Sequence, residues 1–147
     1  AMGMDISGKG PVPPKKYEDC KADEDLREYF KWQDETPGVY FRASIWNWGP
    51  LIQFIEAAIA AHNLGFDTKL WHYNDGAGLD NQADCDRLAD AMDDLLKRVD
   101  PKQWNKPGAV ATDFSRLMGM TVPVSLDTER VQRFIVFLRH CGGFEIY

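Results

Sequence analysis

No closely spaced cysteine pair, no basic block and no uninterrupted apolar run of membrane-spanning length occurs in this chain, and each absence removes a class of function. The three cysteines, Cys20, Cys85 and Cys141, are odd in number and far apart. That spacing excludes a secreted disulfide framework and, without Cys-x-x-Cys or His-x-x-x-His to anchor a site, argues against zinc. His140 and Cys141 are adjacent, where both side chains rarely reach one metal, so neither a metal nor a cofactor is expected. Acids outnumber bases by 23 to 17, for a net charge of −6, which opposes a phosphate-neutralising surface. Nucleic acid is therefore not an expected partner. Charged residues break every apolar stretch before it could span a bilayer, and no membrane association is expected. Met2-Gly3-Met4-Asp5-Ile6-Ser7 formally fits a myristoylation pattern, but no polybasic second signal follows it. No charged, apolar and small-residue leader pattern opens the chain, so a reducing cytoplasm is the expected compartment. Gly8-Lys9-Gly10 lacks the glycine spacing and the hydroxyl residue of a phosphate loop.

What is present suits one domain. The 147 residues, 44% hydrophobic and 12% aromatic, can bury a proper core. Ala1 before Met2 reads as the scar of a removed tag. Residues 1–16, punctuated by glycine and proline, read as an extended N-terminal arm, with 17–147 as the globular domain. Apolar periodicity, acidic starts and Gly/Pro stops predict helices over 22–32, 48–63, 81–99 and 127–141. Asn47 or Gly49 is the expected cap of the second, with Pro50 in its first turn, and Ser125 or Asp127 the cap of the last. Val39–Trp46 and Phe144–Tyr147 are strand-like and are expected to pair with each other. The fold class is thus mainly α: about four packed helices with a minor two-stranded β element. Residues 101–124 form a long irregular passage of the kind that is often functional.

The most informative segment is Trp71-His72-Tyr73-Asn74-Asp75-Gly76-Ala77-Gly78-Leu79-Asp80, an aromatic strip entering a glycine-bracketed Asn-Asp turn. Three functional readings apply. Acids and carbonyls could cradle a cation, yet aligning Gly76 or Gly78 with the calcium-loop glycine puts Trp71 or Tyr73 at the first ligand position. Helix-start N–H groups could hold an anion, which Asp80, Asp84 and Asp86 would repel. Asp75 could serve as a general base beside His72. The plainer reading, and the leading one, folds Asn74 and Asp75 onto their own backbone as an Asx-turn. Trp46, Trp48 and Trp71, with Tyr40 and Tyr73, either line a recognition surface or fill the core, and core is favoured. Trp32 and Trp104 are the better surface anchors. The candidate ligand-binding set is His72, Asn74, Asp75, Trp46, Trp48 and Trp71.

Several stretches are familiar together: Met2-Gly3-Met4-Asp5-Ile6-Ser7-Gly8-Lys9, Tyr40-Phe41-Arg42-Ala43-Ser44-Ile45-Trp46-Asn47-Trp48, Tyr73-Asn74-Asp75-Gly76-Ala77-Gly78, and Phe137-Leu138-Arg139 with Gly142-Gly143-Phe144-Glu145-Ile146. The set resembles a group of small phage- and prophage-associated proteins of unknown function, from end to end of the chain. The stretch at 13–36 is longer than that group leads one to expect. The resemblance implies a phage setting and assigns no activity, ligand or catalytic residue. The expected function is a small interaction or regulatory protein that binds a protein partner and is not an enzyme. The alternative is a small-molecule-binding or hydrolytic protein with a pocket at Asn74-Asp75-Gly76.

Overall fold

Alternation decides the sheet. In the computed structural model, which describes residues 3–99 and 127–147, strand β1 (Gly3–Gly8) turns Met4 and Ile6 inward and Asp5 and Ser7 outward. It pairs antiparallel with β2 (Tyr40–Ser44) on one side and with β3 (Phe144–Ile146) on the other. The order is β2-β1-β3, so the N-terminal strand is the central one. Ile6 faces Phe41 across one ladder and Ile146 across the other. Met4, Ile6, Phe41, Ala43, Phe144 and Ile146 form the buried face.

Two expectations are corrected here. The segment read as an extended arm is, from residue 3 to 8, the middle of the sheet and part of the core, so no boundary at 16 separates it from the domain. Among the described residues the β element has three strands, and Phe144–Ile146 and Tyr40–Ser44 each pair with β1 rather than with one another.

The helices fall close to the predicted positions, and the mainly α class holds. Among the described residues they are α1 (Asp23–Glu35), α2 (Ile45–Ala61), α3 (Gln82–Arg98) and α4 (Thr128–His140), with 3-10 turns at Tyr17–Asp19 and Lys69–His72. Side-chain caps set three starts. Ser44 Oγ accepts from Asn47 N–H at 3.2 Å, Asn81 Oδ1 from Asp84 N–H at 2.8 Å, and Asp127 Oδ1 from Arg130 N–H at 3.1 Å. The cap of α2 is thus Ser44 rather than Asn47 or Gly49, and Pro50 lies beyond the first turn, inside the helix. There its ring denies the Trp46 carbonyl an intrahelical donor. The passage 101–124, Trp104 and Ser125 lie outside the described residues.

α2 and α4 cover the inner face of the sheet, and α3 packs against both. Phe134 of α4 sits at the centre, with ring centroids 5.0 Å from Phe41, 5.8 Å from Phe137, 6.1 Å from Trp48 and 6.1 Å from Phe144. Edge-to-face and offset packing of this kind adds about 0.5–1.5 kcal/mol per pair to the burial itself.

The outer face of the sheet is polar and self-paired. Tyr40 donates its hydroxyl proton to Asp5 across the β1–β2 ladder, and Arg42 Nε lies 3.7 Å from the same Asp5 oxygen. Burial first, and then the Asp5 carboxylate, push the Tyr40 hydroxyl up to about 12. The unfolded hydroxyl titrates near 10. The stabilisation is therefore complete below pH ~10 and is lost as pH rises through about 12. That difference corresponds to at most ~2.7 kcal/mol, and solvent at this half-buried site reduces it to roughly 1 kcal/mol. Tyr40→Phe has no such proton to lose, so the stability of the parent relative to this variant should fall by roughly 1 kcal/mol between pH 9 and pH 12. Urea midpoints of the two proteins measured across that interval check it; a pH-independent gap would refute the assignment.

Candidate functional site

The 3-10 turn Lys69–His72 drives Trp71 inward, 2% exposed, against Phe144 with ring centroids 5.4 Å apart. The Trp71 carbonyl accepts the indole N–H of Trp48 at 2.9 Å. A tryptophan pays no polar penalty inside when its N–H is satisfied, and both rings are core. One turn later the chain faces outward. His72 Nε2 lies 2.7 Å from Glu56 Oε1 on α2, so its acidic neighbour is Glu56 and not Asp75.

Asn74 and Asp75 are exposed, and among the described residues neither side chain makes a hydrogen bond or an ion pair. The expected Asx-turn is therefore not formed. Its nearest relative in the chain is at Asp67, whose Oδ1 accepts from Lys69 N–H at 3.0 Å.

The glycines do more than allow the turn. From Gly76 the chain runs along the free edge of β3. Gly76 N–H donates to Ile146 O at 2.6 Å, Ile146 N–H to Ala77 O at 2.8 Å, and Phe144 N–H to Leu79 O at 2.8 Å. These bonds satisfy an edge that would otherwise be open to pairing with other chains. Gly76 takes a left-handed φ of +91° to enter the segment. At Gly78 a Cβ would stand 2.0 Å from Phe144 O, so only a hydrogen fits. The glycine-bracketed motif is the seam that closes the β3 edge of the sheet.

The candidate set divides. His72, Asn74 and Asp75 share one exposed loop, Trp48 and Trp71 are inside, and Trp46 stands 79% exposed in the first turn of α2. Among the described residues the Trp46 side chain makes no hydrogen bond or ring contact. Among those residues, too, no three His, Cys, Asp or Glu side chains converge as metal ligands.

Two surfaces escape the sequence reading. On the outer sheet face Lys9 Nζ bridges Asp80 at 3.0 Å and Glu145 at 3.7 Å, and the hydrogen bond to Asp80 holds its ammonium above the usual lysine range. Tyr147 donates to Glu145 at 2.9 Å, which raises its hydroxyl likewise. Polar residues alternating with apolar ones at 4–7, 40–43 and 144–147 are the available signal.

The second surface is the connection between β1 and β2. The two strands are adjacent and antiparallel, with Ser7 opposite Tyr40, and a two-residue turn could join them. Instead the chain inserts a 3-10 turn and the 13-residue helix α1, in which no residue is buried. Tyr17, Tyr29, Phe30 and Trp32 pack on one another, with centroids 5.4 Å apart for Tyr17–Tyr29 and 5.6 Å for both Tyr29–Phe30 and Tyr29–Trp32. Lys15 Nζ holds Asp25 at 2.9 Å, and that bond keeps the Asp25 carboxyl below the usual range. Tyr17 and Phe30 remain 59% and 46% exposed. Helix α1 carries six carboxylates against two cations. This arrangement is chemically a small acidic, aromatic lobe beside a core that does not use it.

Compared with family models, with curated proteins and with solved structures, the chain finds no match in any of the three. Among the described residues no helix is long and apolar enough to cross a membrane.

Proposed function

We propose that the protein acts by binding a protein partner, and that the β1–β2 insert is the element that contacts it. The observation that carries this reading is the insert itself: a helix with no buried residue, placed where a tight turn would serve the fold. Segments that a core does not need are where binding surfaces concentrate. Exposed aromatics with polar tips, such as Tyr17, supply contact area at low entropic cost. The carboxylates of α1 around them suit a partner whose surface is basic at the rim and apolar at the centre. A phage setting and a cytoplasmic location belong to the same proposal and rest on the resemblance of the sequence. Asn74, Asp75 and His72 give the competing pocket reading less support, because they share an exposed loop and His72 is engaged by Glu56.

The test compares the parent with Tyr17→Ala/Phe30→Ala and with Asp75→Asn, each immobilised and exposed to a bacterial lysate. The parent should retain a basic protein in near-stoichiometric amount, and retention should weaken with salt. The double variant should lose about 2 kcal/mol of affinity or more, roughly thirtyfold, while melting within a few degrees of the parent. Asp75→Asn should bind like the parent. Retention that survives in the double variant but fails in Asp75→Asn would transfer the function to the loop.

A further inference from the structure

Cys85 and Cys141 stand 56 positions apart in the chain and meet in the core, with their sulfurs 3.5 Å apart and neither residue exposed. Cys85 lies in the first turns of α3, and Cys141 follows the last residue of α4, just before Gly142-Gly143 leads into β3. Cys141 Sγ also reaches Leu138 O at 3.4 Å. Cys20 is different: it is partly exposed, in the insert, with its Sγ donating to Lys16 O at 3.3 Å.

We infer that Cys85 and Cys141 are a disulfide-forming pair, oxidised within one molecule by a hydroperoxide. A disulfide needs the sulfurs to close from 3.5 Å to about 2.05 Å, a movement of roughly 1.5 Å. The contact also makes the two thiols unequal. The hydrogen bond with Cys141, together with burial, pushes the Cys85 thiol up, whereas the contact with Cys85 and the Gly143 N–H draw the Cys141 thiol down against its burial. Closure of the pair does not depend on which of the two sulfurs reacts first.

In the first step one of the two sulfurs, taken as that of Cys141, attacks an oxygen of hydrogen peroxide. An S–O bond forms, the O–O bond breaks, and the thiol proton leaves with the departing oxygen as water. Cys141 becomes a sulfenic acid, and the peroxide takes up the two electrons. In the second step the Cys85 sulfur attacks the sulfenic sulfur. The S–S bond forms, the S–O bond breaks, and the hydroxyl departs with the Cys85 proton as a second water. Because neither sulfur touches solvent, the reagent enters through local opening, which favours a molecule as small as hydrogen peroxide. The product ties the start of α3 to the α4–β3 junction and closes a long loop, so the oxidised protein is the more thermostable form.

The experiment uses the whole protein carrying Cys20→Ser, treated with hydrogen peroxide under native conditions. The intact mass should fall by two hydrogens, with the chain monomeric on a non-reducing gel and the peptides of Cys85 and Cys141 joined in a digest. The melting temperature should rise by roughly 5–10 °C, and dithiothreitol should reverse both changes. Cys85→Ala and Cys141→Ala in the same background should never show the two-hydrogen loss. If either fails to fold, the mass and the joined peptides of the Cys20→Ser protein still decide. An unchanged mass, oxygen added without loss of hydrogen, or a disulfide that forms only in urea would each overturn the inference and leave the pair as core packing.

Discussion

A chain lacking residues 1–8 is expected not to fold. Among the described residues β1 is the only strand with two neighbours, and removing it leaves β2 and β3 with no ladder partner within the sheet. Met4 and Ile6, 5% and 0% exposed, leave the core, at roughly 1.5–3 kcal/mol each. Phe41, Ala43, Phe144 and Ile146 lose the side chains they flank, and the backbone bonds of two ladders are lost together. The Asp5–Tyr147 backbone pair, at 2.7 Å in both directions, and the Lys9 bridge lose their footing as well. Against a total stability of about 5–15 kcal/mol, that sum leaves no folded state. Far-ultraviolet circular dichroism with a thermal melt checks it: the truncated chain should lack a cooperative transition. Ile6→Ala offers the graded version, costing about 2–4 kcal/mol in a urea titration. A truncated chain that melts cooperatively near the parent temperature would show that the first strand is after all an arm laid on a finished domain.

Why the sequence hides this strand is a matter of range. Six residues with a glycine at each end, one methionine and one isoleucine carry little intrinsic strand preference. What makes them a strand is a partner that begins at Tyr40 and another that begins at Phe144, and single-sequence periodicity sees neither. The Cys85–Cys141 contact is hidden for the same reason. Helices α2, α3 and α4 are legible because their signals are local. The apolar face recurs within each segment, Asp127 stands at an expected cap, acids crowd the start of α3, and glycine marks the ends of α2 and α4.

The tryptophans show how a boundary error propagates to a site. With Val39–Trp46 taken as extended, Trp46 and Trp48 belong to different elements and can be treated as one aromatic set. Ser44 instead starts the helix at Ile45, and two residues at about 100° each place the rings on nearly opposite sides. Trp48 is 3% exposed and Trp46 79%. The insert between β1 and β2 is legible as a helix but not as a lobe. Its apolar spacing is the same whether the face packs on a core or on Tyr17.

Gly78→Ala should cost about 3 kcal/mol or more, far beyond the ~1 kcal/mol expected of Gly65→Ala, and the comparison separates two reasons for needing glycine. Gly65 has φ +75° and open space where a methyl would stand, with nothing within 4 Å, so alanine there meets only backbone strain. Gly78 has a backbone any residue can adopt, but its methyl would lie 2.0 Å from Phe144 O and 2.8 Å from Phe144 C. Those atoms are main chain in β3, whose N–H is bonded to Leu79 O, and they cannot swing aside as a side-chain tip could. Relief requires the 76–79 segment to lift from β3, which opens the Leu79–Phe144 bond and the packing of Trp71 on Phe144. Urea midpoints of the two variants give the answer, and a cost at Gly78 within that of Gly65 would mean the seam yields cheaply. A large cost at Gly78, beside unchanged stability in Asp75→Asn, would assign the glycines to the sheet edge. The exposed Asn74-Asp75 tip would then be free to vary without touching the fold, which makes the loop a place where binding can be probed independently of stability.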